Sequence, residues 1–565
     1  MGNCKIIASL MLLFPMASHA HLISITATKP FPASVAATSN SSATFKVTNI
    51  ASRANVTVID QSSFPSGSGL SISSSTCGSL LKPGQFCTIQ LALQASSTGR
   101  TISTALKEWA KPTADGVQYP INIIVTPAPN LPTITIEPVN SSQLEAFRDP
   151  VLAQYSGNWL IVSGSTGNFH NFNNGFNTDI VVYNPTTMQK YSVIINDTNL
   201  DPEIKKQLAS SSPEFLQDGD TFYIIGGFYT PDNAHWTTLN TITAINVPSM
   251  INAVMNGELN LNSYAAVRTD ISQFKVTGGQ LGKINNYFYL TFGQDCDGSS
   301  YCTTQTYTDS IYQFVTDPTL SSTAIVNTVT HPDLDGSGWR RRDYTLAPFM
   351  SGATETLFAM AGPFTPGNDA LVWTNGITFN SAMQANDNFI NQQANQYSSA
   401  HLSMYSANKG IAYVATFSGL SNLYWSTSGL IYDNSTPYGN ILDLISSDAS
   451  GNVQEYANIQ PMCSGQPLAS CLYMGLGAEF IPVPNYFDSR SILQLDQLPQ
   501  NSKTLVGYVY AGLLSTSQDI FTLPPPIPGP PGPSYVTNQV YAVYVVPAAP
   551  GGVNWKNVTN LNPGN

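Results

Sequence analysis

The chain has 565 residues, of which only 10% are charged, and its formal net charge is −12. An acidic surface repels phosphate backbones, so the charge argues against nucleic acid as a partner. Few stretches carry the Ala, Leu, Glu and Lys that build long helices, and no segment after the first twenty residues approaches the roughly 18 apolar residues of a transmembrane helix. The composition therefore predicts short strands and no transmembrane segment.

Residues 1–20 have the pattern of a secretory signal peptide. Lys5 lies in a short basic region, Ile6–Leu13 form an apolar run, and Ser18 and Ala20 offer the small residues that a signal peptidase reads. We therefore expect an exported protein, periplasmic, on the cell surface or extracellular, whose mature chain begins at His21.

Residues 21–128 are predicted to form a small β-sandwich. Apolar and polar residues alternate in short runs, as in Ala43–Asn49, Thr88–Leu93 and Ile121–Val125. The segment Thr44–Asn49, together with Leu81–Cys87, resembles the immunoglobulin-like or PapD-like modules of bacterial envelope proteins, which implies a seven-stranded sandwich. The proline-rich residues that follow predict a stiff linker over 129–139.

From residue 140 to 550 a strand–loop–strand unit recurs. A short apolar strand ends in glycine, as in Trp159–Gly164 and Phe222–Gly227, and a polar loop leads to a second strand, as in Asp179–Tyr183. Such sheets can bury both faces only by stacking on neighbours, which predicts a β-propeller. We count six blades; seven also fit, because the interval before Leu505 is long. Residues 551–565 are expected to be a C-terminal tail.

The glycine pair Gly226-Gly227 and the spacing around it resemble kelch repeats. A second resemblance is to a group of exported bacterial propeller proteins, and it is carried by Val276–Gly279, Tyr289–Gly293, Gln305–Asp309, Arg341–Tyr344 and Gly477–Pro482. These resemblances imply fold and export and bring no activity. The predicted fold is all-β: an N-terminal immunoglobulin-like β-sandwich followed by a kelch-like β-propeller of about six blades.

The cysteines support export independently. Once Cys4 is removed with the signal peptide, six remain, and they fall into three pairs that are close in sequence. An even number of closely paired cysteines is typical of an oxidising compartment. The expected disulfides are Cys77 with Cys87, Cys296 with Cys302, and Cys463 with Cys471.

Two acidic segments resemble half of a calcium-binding loop. Asp295 and Asp297 precede one glycine, and Asp333 and Asp335 precede another. Alternate carboxylates in a tight turn can direct several oxygens at one Ca²⁺ ion. Each segment is half the length of a full loop and lacks the closing glutamate, so turns stabilised by the aspartates are the alternative. Calcium is the one cofactor that the sequence suggests.

Arg340–Asp343 is the densest charge cluster of the chain. On a strand, Arg341 and Asp343 would share one face, which could line the central channel and bind a carboxylate or a sugar acid. The alternative is an Arg–Asp pair that holds neighbouring blades together. His235 and Trp236 follow Gly227 in a long loop, where they would either stack on a sugar ring or cover a blade.

Two functions remain open. The first is a binding protein that uses the loop-rich face of the propeller for a glycan or a protein ligand; the absence of G-x-S-x-G, P-loop, H-E-x-x-H and sialidase motifs favours it. The alternative is an exported carbohydrate-active enzyme, a hydrolase, lyase or oxidase, with Asp343, Glu479 or His235 at the channel mouth. We lean away from catalysis and leave it open.

Overall fold

The computed structural model describes most of the chain after the first twenty residues. The described ranges are 21–32, 34–36, 40–94, 100–112, 115–126, 131–169, 175–232, 235–300, 304–332, 338–366, 368–463, 473–510, 512–518, 534–547 and 554–559. The chain forms two compact units, and the boundary between them falls between Asn130 and Leu131. Both units are built mainly from antiparallel sheets, so the fold is all-β.

The first unit is a sandwich of two sheets. Alternate residues of its strands point inward, as Phe45, Val47, Ile89 and Leu91 do, and the apolar faces of the two sheets form one core. The strands of one sheet, in spatial order, are Ile23–Lys29, Asn40–Asn49, Phe86–Gln94 and Leu70–Ser75; those of the other are Ser34–Ala36, Asp115–Thr126, Arg100–Lys111, Val56–Asp60 and Leu80–Leu81.

The second unit is a six-bladed β-propeller. Each blade has four antiparallel strands, numbered here from the axis outwards, and strand two ends where the expected glycines stand. Blades 1 to 3 comprise Val151–Tyr155, Asn158–Val162, Asp179–Asn184 and Gln189–Ile194; Glu214–Asp218, Thr221–Ile225, Ile242–Asn246 and Ala265–Arg268; and Gln280–Ile284, Tyr287–Thr291, Ser310–Val315 and Ala324–Thr330. Blades 4 to 6 comprise Thr345–Ser351, Thr354–Met360, Asn375–Asn380 and Ala385–Asn391; His401–Ser406, Ile411–Phe417, Leu442–Ser447 and Val453–Asn458; and Glu479–Pro482, Thr504–Tyr510, Val540–Val546 and Thr133–Val139.

The ring closes through a strand from the start of the unit. Thr133–Val139 pairs with Val540–Val546 and supplies the outermost strand of blade 6. The inner strand of each blade packs beside that of the next, and the inner strand of blade 6 packs beside that of blade 1. The expected linker over 129–139 is therefore corrected: its second half is a propeller strand, because its alternating side chains complete the last sheet.

The expected tail is also corrected in part. Trp555–Asn557 pairs with Val453–Asn458 at the outer edge of blade 5, and Trp555 Nε1 donates to the carbonyl of Pro132 at 2.8 Å. A second short strand, Leu493–Gln494, lies parallel to the inner strand of the same blade. Edge strands of this kind cover backbone groups that would otherwise remain unpaired.

Small sheets extend from the loops between strands two and three of blades 2 to 6, and one of them also includes a strand that precedes blade 6. Gly226 and Gly227 have positive φ of 62° and 108° where the chain leaves blade 2 for one of these loops. The loop sheets comprise Phe228–Tyr229, His235–Thr238, Gln294–Ser300 and Gln305–Tyr307; Pro363–Thr365 and Asn368–Val372; Leu423–Ser426 and Gly429–Tyr432; and Tyr473–Leu476, Leu513–Ser515 and Ser534–Val536. Helices Pro202–Leu208 and Val247–Met255 and the 3₁₀ turns Ile195–Asp197, Asn262–Tyr264, Ser272–Phe274, Pro484–Tyr486 and Leu495–Gln497 join strands and blades.

Candidate functional site: the central cavity of the propeller

A ring of six residues surrounds the propeller axis. Each lies two or three residues before the first residue of its blade's inner strand. Each has a positive φ, between 46° and 67°. Backbone N–H groups donate from one blade to the carbonyl of the neighbouring blade, with N···O distances of 2.7 to 3.3 Å for the five links from Asp149 round to Ser212. In blade order, the ring residues are Asp149, Ser212, Gly278, Asp343, Ser398 and Gly477.

The ring has an approximate two-fold symmetry. Read in blade order it is Asp-Ser-Gly followed by Asp-Ser-Gly, so Asp149 and Asp343 lie on opposite sides of the axis. Each aspartate leans over the glycine of the preceding blade: a Cβ on Gly477 would lie 2.5 Å from Asp149 Oδ1, and one on Gly278 would lie 2.7 Å from Asp343 Oδ1. Glycine is therefore needed at both positions, for its positive φ and for the space that the carboxylates occupy.

A cavity of about 1180 Å³ occupies the axis below this ring. All six inner strands line it, from the ring residues down to exposed hairpin turns such as Ser156 and Asn285. On the other side of the ring the loops form an apolar cluster that includes Tyr397, Tyr438 and Leu476. The cavity thus opens at the hairpin-turn end of the propeller. This differs from the expectation that the loop-rich face would hold the site, because loop side chains pack over the ring.

Each ring aspartate has an arginine before it in sequence. Arg148 Nε lies 3.7 Å from Asp149 Oδ2, and Arg342 Nε lies 3.5 Å from Asp343 Oδ2. Burial raises the pKa of both aspartates, while the neighbouring guanidinium groups lower it; the charge of Asp343 raises the pKa of Asp149 further. The charge of Asp343 therefore acts on Asp149 across the ring, and each carboxylate keeps part of its surface exposed.

Two glutamates and one histidine lie close to the ring. Burial raises the pKa of Glu214 and of Glu479 to about 8, and the charge of Asp149 contributes at Glu479. Burial lowers the pKa of His401, which lines the cavity, to about 4. At neutral pH the imidazole is uncharged and both glutamates are largely protonated. The inner end of the cavity is thus rich in hydrogen-bonding groups and low in net charge.

Charged pairs surround the open end. Lys283 Nζ lies 2.6 Å from Asp218 Oδ2, and Arg490 pairs with Asp488 through its Nη2. Burial raises the pKa of Glu355 beside them, and Arg490 opposes that shift. A polar ligand entering the cavity would pass these groups before it reached the ring.

Arg341 does not have the position that the sequence analysis expected. Residues 340–344 form a loop before the inner strand of blade 4, so Arg341 and Asp343 do not share a strand face. Arg341 is fully buried and donates to the carbonyls of Ala361 at 2.8 Å and Asn375 at 3.1 Å; burial lowers its pKa to about 9. It holds the loop together, whereas Asp343 lines the cavity.

Trp236 is also interior. It lies in strand His235–Thr238 of a loop sheet, is 2% exposed, and stacks on Phe228 with ring centroids 4.6 Å apart. Its indole face is covered, so of the two roles that the sequence left open, stacking on a sugar ring is the one that the structure does not allow. His235 is exposed on the same strand, and its Nδ1 lies 2.6 Å from Asp232 Oδ2. Neither residue lines the cavity.

Only one of the two acidic segments that were predicted as calcium-loop candidates lies within the described residues. Asp295 lies in the strand Gln294–Ser300, not in a turn, and its carboxylate pairs with Lys275 Nζ at 2.9 Å; Asp297 is in the same strand. In the described ranges no three His, Cys, Asp or Glu side chains are grouped to hold a metal ion. Asp333 and Asp335 lie outside the described residues.

The disulfide Cys77–Cys87 is confirmed. Cys296 and Cys463 are also disulfide-bonded, and Cys302 and Cys471, their expected partners, lie outside the described residues.

Sequence reasoning missed Asp149 as a partner of Asp343. A signal was present: the dipeptide Arg-Asp occurs at 148–149 and again at 342–343, each time just before an inner strand. Glu479, which the enzyme alternative named, does line the cavity.

None of the helices in the described ranges has the length and apolar character of a membrane-spanning segment.

The fold and cavity define the class of protein as a β-propeller with an axial polar cavity. No family model matches the chain, and no curated protein matches it. Among solved structures, that of YjhT is similar to this chain, with a TM-score of 0.34 and 10% identity, over 62% of this chain and 91% of YjhT. A mutant of Trypanosoma rangeli sialidase displaying trans-sialidase activity is similar with a TM-score of 0.34 and 9% identity, over 73% of this chain and 55% of the sialidase.

Proposed function

We propose that this protein is an exported binding protein that takes a glycan into the central cavity of its propeller. The observation that carries the proposal is the cavity itself, about 1180 Å³ in volume, with Asp149 and Asp343 on opposite sides of its inner end. A cavity of this kind, with a few convergent polar groups, is the usual form of a small-ligand site. Carboxyl, hydroxyl and imidazole groups together suit the hydroxyls of a sugar.

The experiment is a glycan array followed by calorimetry on the full chain. Asp149→Asn and Asp343→Asn should each weaken binding at least tenfold, because an amide keeps the shape and loses the acceptor pair of a carboxylate. Asp197→Asn is the control, since Asp197 is exposed and does not line the cavity. An array without signal, or ring variants that bind as well as Asp197→Asn, would refute the proposal. A protein ligand captured equally by all three variants would place binding elsewhere.

Export is part of the same proposal. It is supported by the signal-peptide pattern of residues 1–20 and by the disulfide Cys77–Cys87, which needs an oxidising compartment. Cell fractionation should find the full chain outside the cytoplasm, and a chain lacking residues 2–20 should remain inside with reduced cysteines. Equal export of the two forms would contradict this.

A second candidate function is an exported carbohydrate-active enzyme. Glu479 and Asp149 favour it, because the two carboxyls are neighbours in unlike surroundings: Asp149 has Arg148 beside it, and Glu479 has no ion pair within the described chain. Glycoside hydrolysis uses such a pair, one as acid and one as base or nucleophile. Glycans that bind would be assayed for release of reducing sugar, and Glu479→Gln should abolish release while binding persists.

A further inference from the structure

Two glutamates occupy equivalent positions in different blades. Glu214 stands two residues after the ring residue Ser212 of blade 2, and Glu479 stands two residues after Gly477 of blade 6. Each is the first residue of its inner strand, and each carboxyl has its pKa raised to about 8. The two glutamates therefore match in position and in pKa, so a difference in their contacts indicates a difference in their roles.

The contacts of Glu214 are structural. Its Oε1 accepts the backbone N–H of Gly279, in the next blade, at 2.7 Å, and the residue is 2% exposed. Glu214 does not line the cavity. It binds blade 2 to blade 3 through this hydrogen bond.

Glu479 lacks the equivalent donor. Gly279 follows the ring residue of blade 3, and the residue that follows the ring residue of blade 1, next round from Glu479, is Pro150, which has no N–H. Within the part of the chain that the structure describes, the Glu479 carboxyl has no hydrogen bond or ion pair. It is half-buried and lines the cavity. A half-buried carboxyl without a protein partner is costly unless a ligand or water satisfies it.

The charged and titratable groups around Glu479 favour its neutral form. Burial and the negative charge of Asp149 in blade 1 both raise the pKa of Glu479, and Arg148 pairs with Asp149. His401 of blade 5 is uncharged at neutral pH, and Tyr510, paired with Glu479 in the neighbouring strand, has its pKa raised well above the usual value by burial. No cation in this set is placed to hold Glu479 as a carboxylate.

We infer that Glu479, as a neutral carboxylic acid, donates a hydrogen bond to an acceptor oxygen of a saccharide in the cavity. The inference rests on the proposed function. It adds that the sugar contacts the wall of the cavity formed by blade 6, and that it does so through an acceptor oxygen. A neutral acid suits a hydroxyl or ring oxygen and disfavours an ammonium group. The affinity should therefore be at its full value well below the pKa of about 8 and should decrease above it, approaching tenfold per pH unit, because the acid must regain its proton.

The first test needs no ligand. A water-soluble carbodiimide with an amine nucleophile, at pH 6.5, reacts with accessible protonated carboxyls, and peptide mass spectrometry maps the product. Glu479 should be labelled several-fold faster than exposed carboxylates such as Asp197, whereas enclosed Glu214 should stay unlabelled. Labelling of Glu479 at or below the rate of Asp197 would overturn the inference, whatever the outcome of the array.

The second test uses maltotetraose, cellotetraose and chitotetraose as probes, with calorimetry from pH 6 to pH 9. For a probe that binds, the affinity of the wild type should fall about tenfold between pH 7 and pH 9. Glu479→Gln should bind with a flat profile, because its amide still donates; Glu214→Gln should keep the wild-type profile. Binding that strengthens with pH, or a Glu479→Gln profile that still falls, would overturn the inference and leave the proposed function standing. If no probe and no array glycan binds, the proposed function fails, and the labelling result still decides the state of Glu479.

Discussion

Replacing Gly477 by alanine tests whether the ring is as crowded as its geometry indicates. Gly477 has a φ of 67°, and an added Cβ would lie 2.5 Å from Asp149 Oδ1 and 3.0 Å from the backbone nitrogen of Asp149. Alanine in the left-handed region costs about 1 kcal/mol or slightly more, and overpacking against atoms that cannot withdraw adds about 1–3 kcal/mol. We expect Gly477→Ala to lower the free energy of unfolding of the propeller by about 2–4 kcal/mol.

Two further glycines provide graded controls. Gly278→Ala meets the flexible end of Asp343 at 2.7 Å but its backbone nitrogen only at 3.5 Å, so a smaller loss is expected. Gly257 has a similar φ of 71° and nothing within 4 Å of an added Cβ, so Gly257→Ala measures the backbone cost alone, about 1 kcal/mol.

Urea unfolding followed by tryptophan fluorescence would rank the three variants, with the propeller transition fitted separately from that of the sandwich. The expected order of destabilisation is Gly477→Ala, then Gly278→Ala, then Gly257→Ala. A Gly477 variant that loses no more stability than the Gly257 variant would refute the account of the ring. In addition, Gly477→Ala should weaken glycan binding in proportion to its displacement of Asp149, whereas Gly257→Ala should not.

Three other substitutions have definite expected outcomes. Arg341→Met should lower propeller stability by about 2–5 kcal/mol in urea unfolding, because each buried carbonyl that loses its donor costs about 1–3 kcal/mol; a loss below about 1 kcal/mol would contradict its structural role. Replacing Cys77 and Cys87 together by serine should cost the sandwich about 2–3 kcal/mol relative to the oxidised wild type, measured by its own thermal transition, and the reduced wild type should match the variant. The pKa of Glu108, in the sandwich beside Asp60, is raised to about 8 by burial, so the native state holds a proton that the unfolded chain releases near pH 4.5. Sandwich stability should therefore fall as pH rises from about 4.5 to about 8, and Glu108→Gln should remove that dependence; an unchanged slope would assign the titration to another group.

Local patterns predicted the elements of the fold well. Alternation in Ala43–Asn49 marked a sandwich strand, and the apolar runs that end in glycine, such as Phe222–Gly227, marked second strands of blades. Cysteine spacing correctly predicted the disulfide Cys77–Cys87. Each of these signals lies within about ten residues, the range over which side-chain periodicity and turn chemistry act.

Residues that depend on distant contacts were predicted less well. For Arg341 the sequence left open a position in the channel and an Arg–Asp pair between blades, but several backbone carbonyls from separate turns satisfy its guanidinium in the interior. For Trp236 the sequence left open stacking on a sugar ring and covering a blade, and the rings of Phe228 and Phe176 enclose it. The acceptors and rings that decide these outcomes come from other parts of the chain.

The amino-acid sequence alone determined that this is an all-β chain of a sandwich and a propeller, because strand periodicity, glycine placement and cysteine pairing are local properties. Only the tertiary structure decided that Thr133–Val139 closes the ring, since its partner strand, Val540–Val546, lies some four hundred residues away. It also decided the site. Asp149 and Asp343 line the same cavity only because six blades close round one axis. Pro150 affects the contacts of Glu479 only because ring closure places blade 1 next to blade 6.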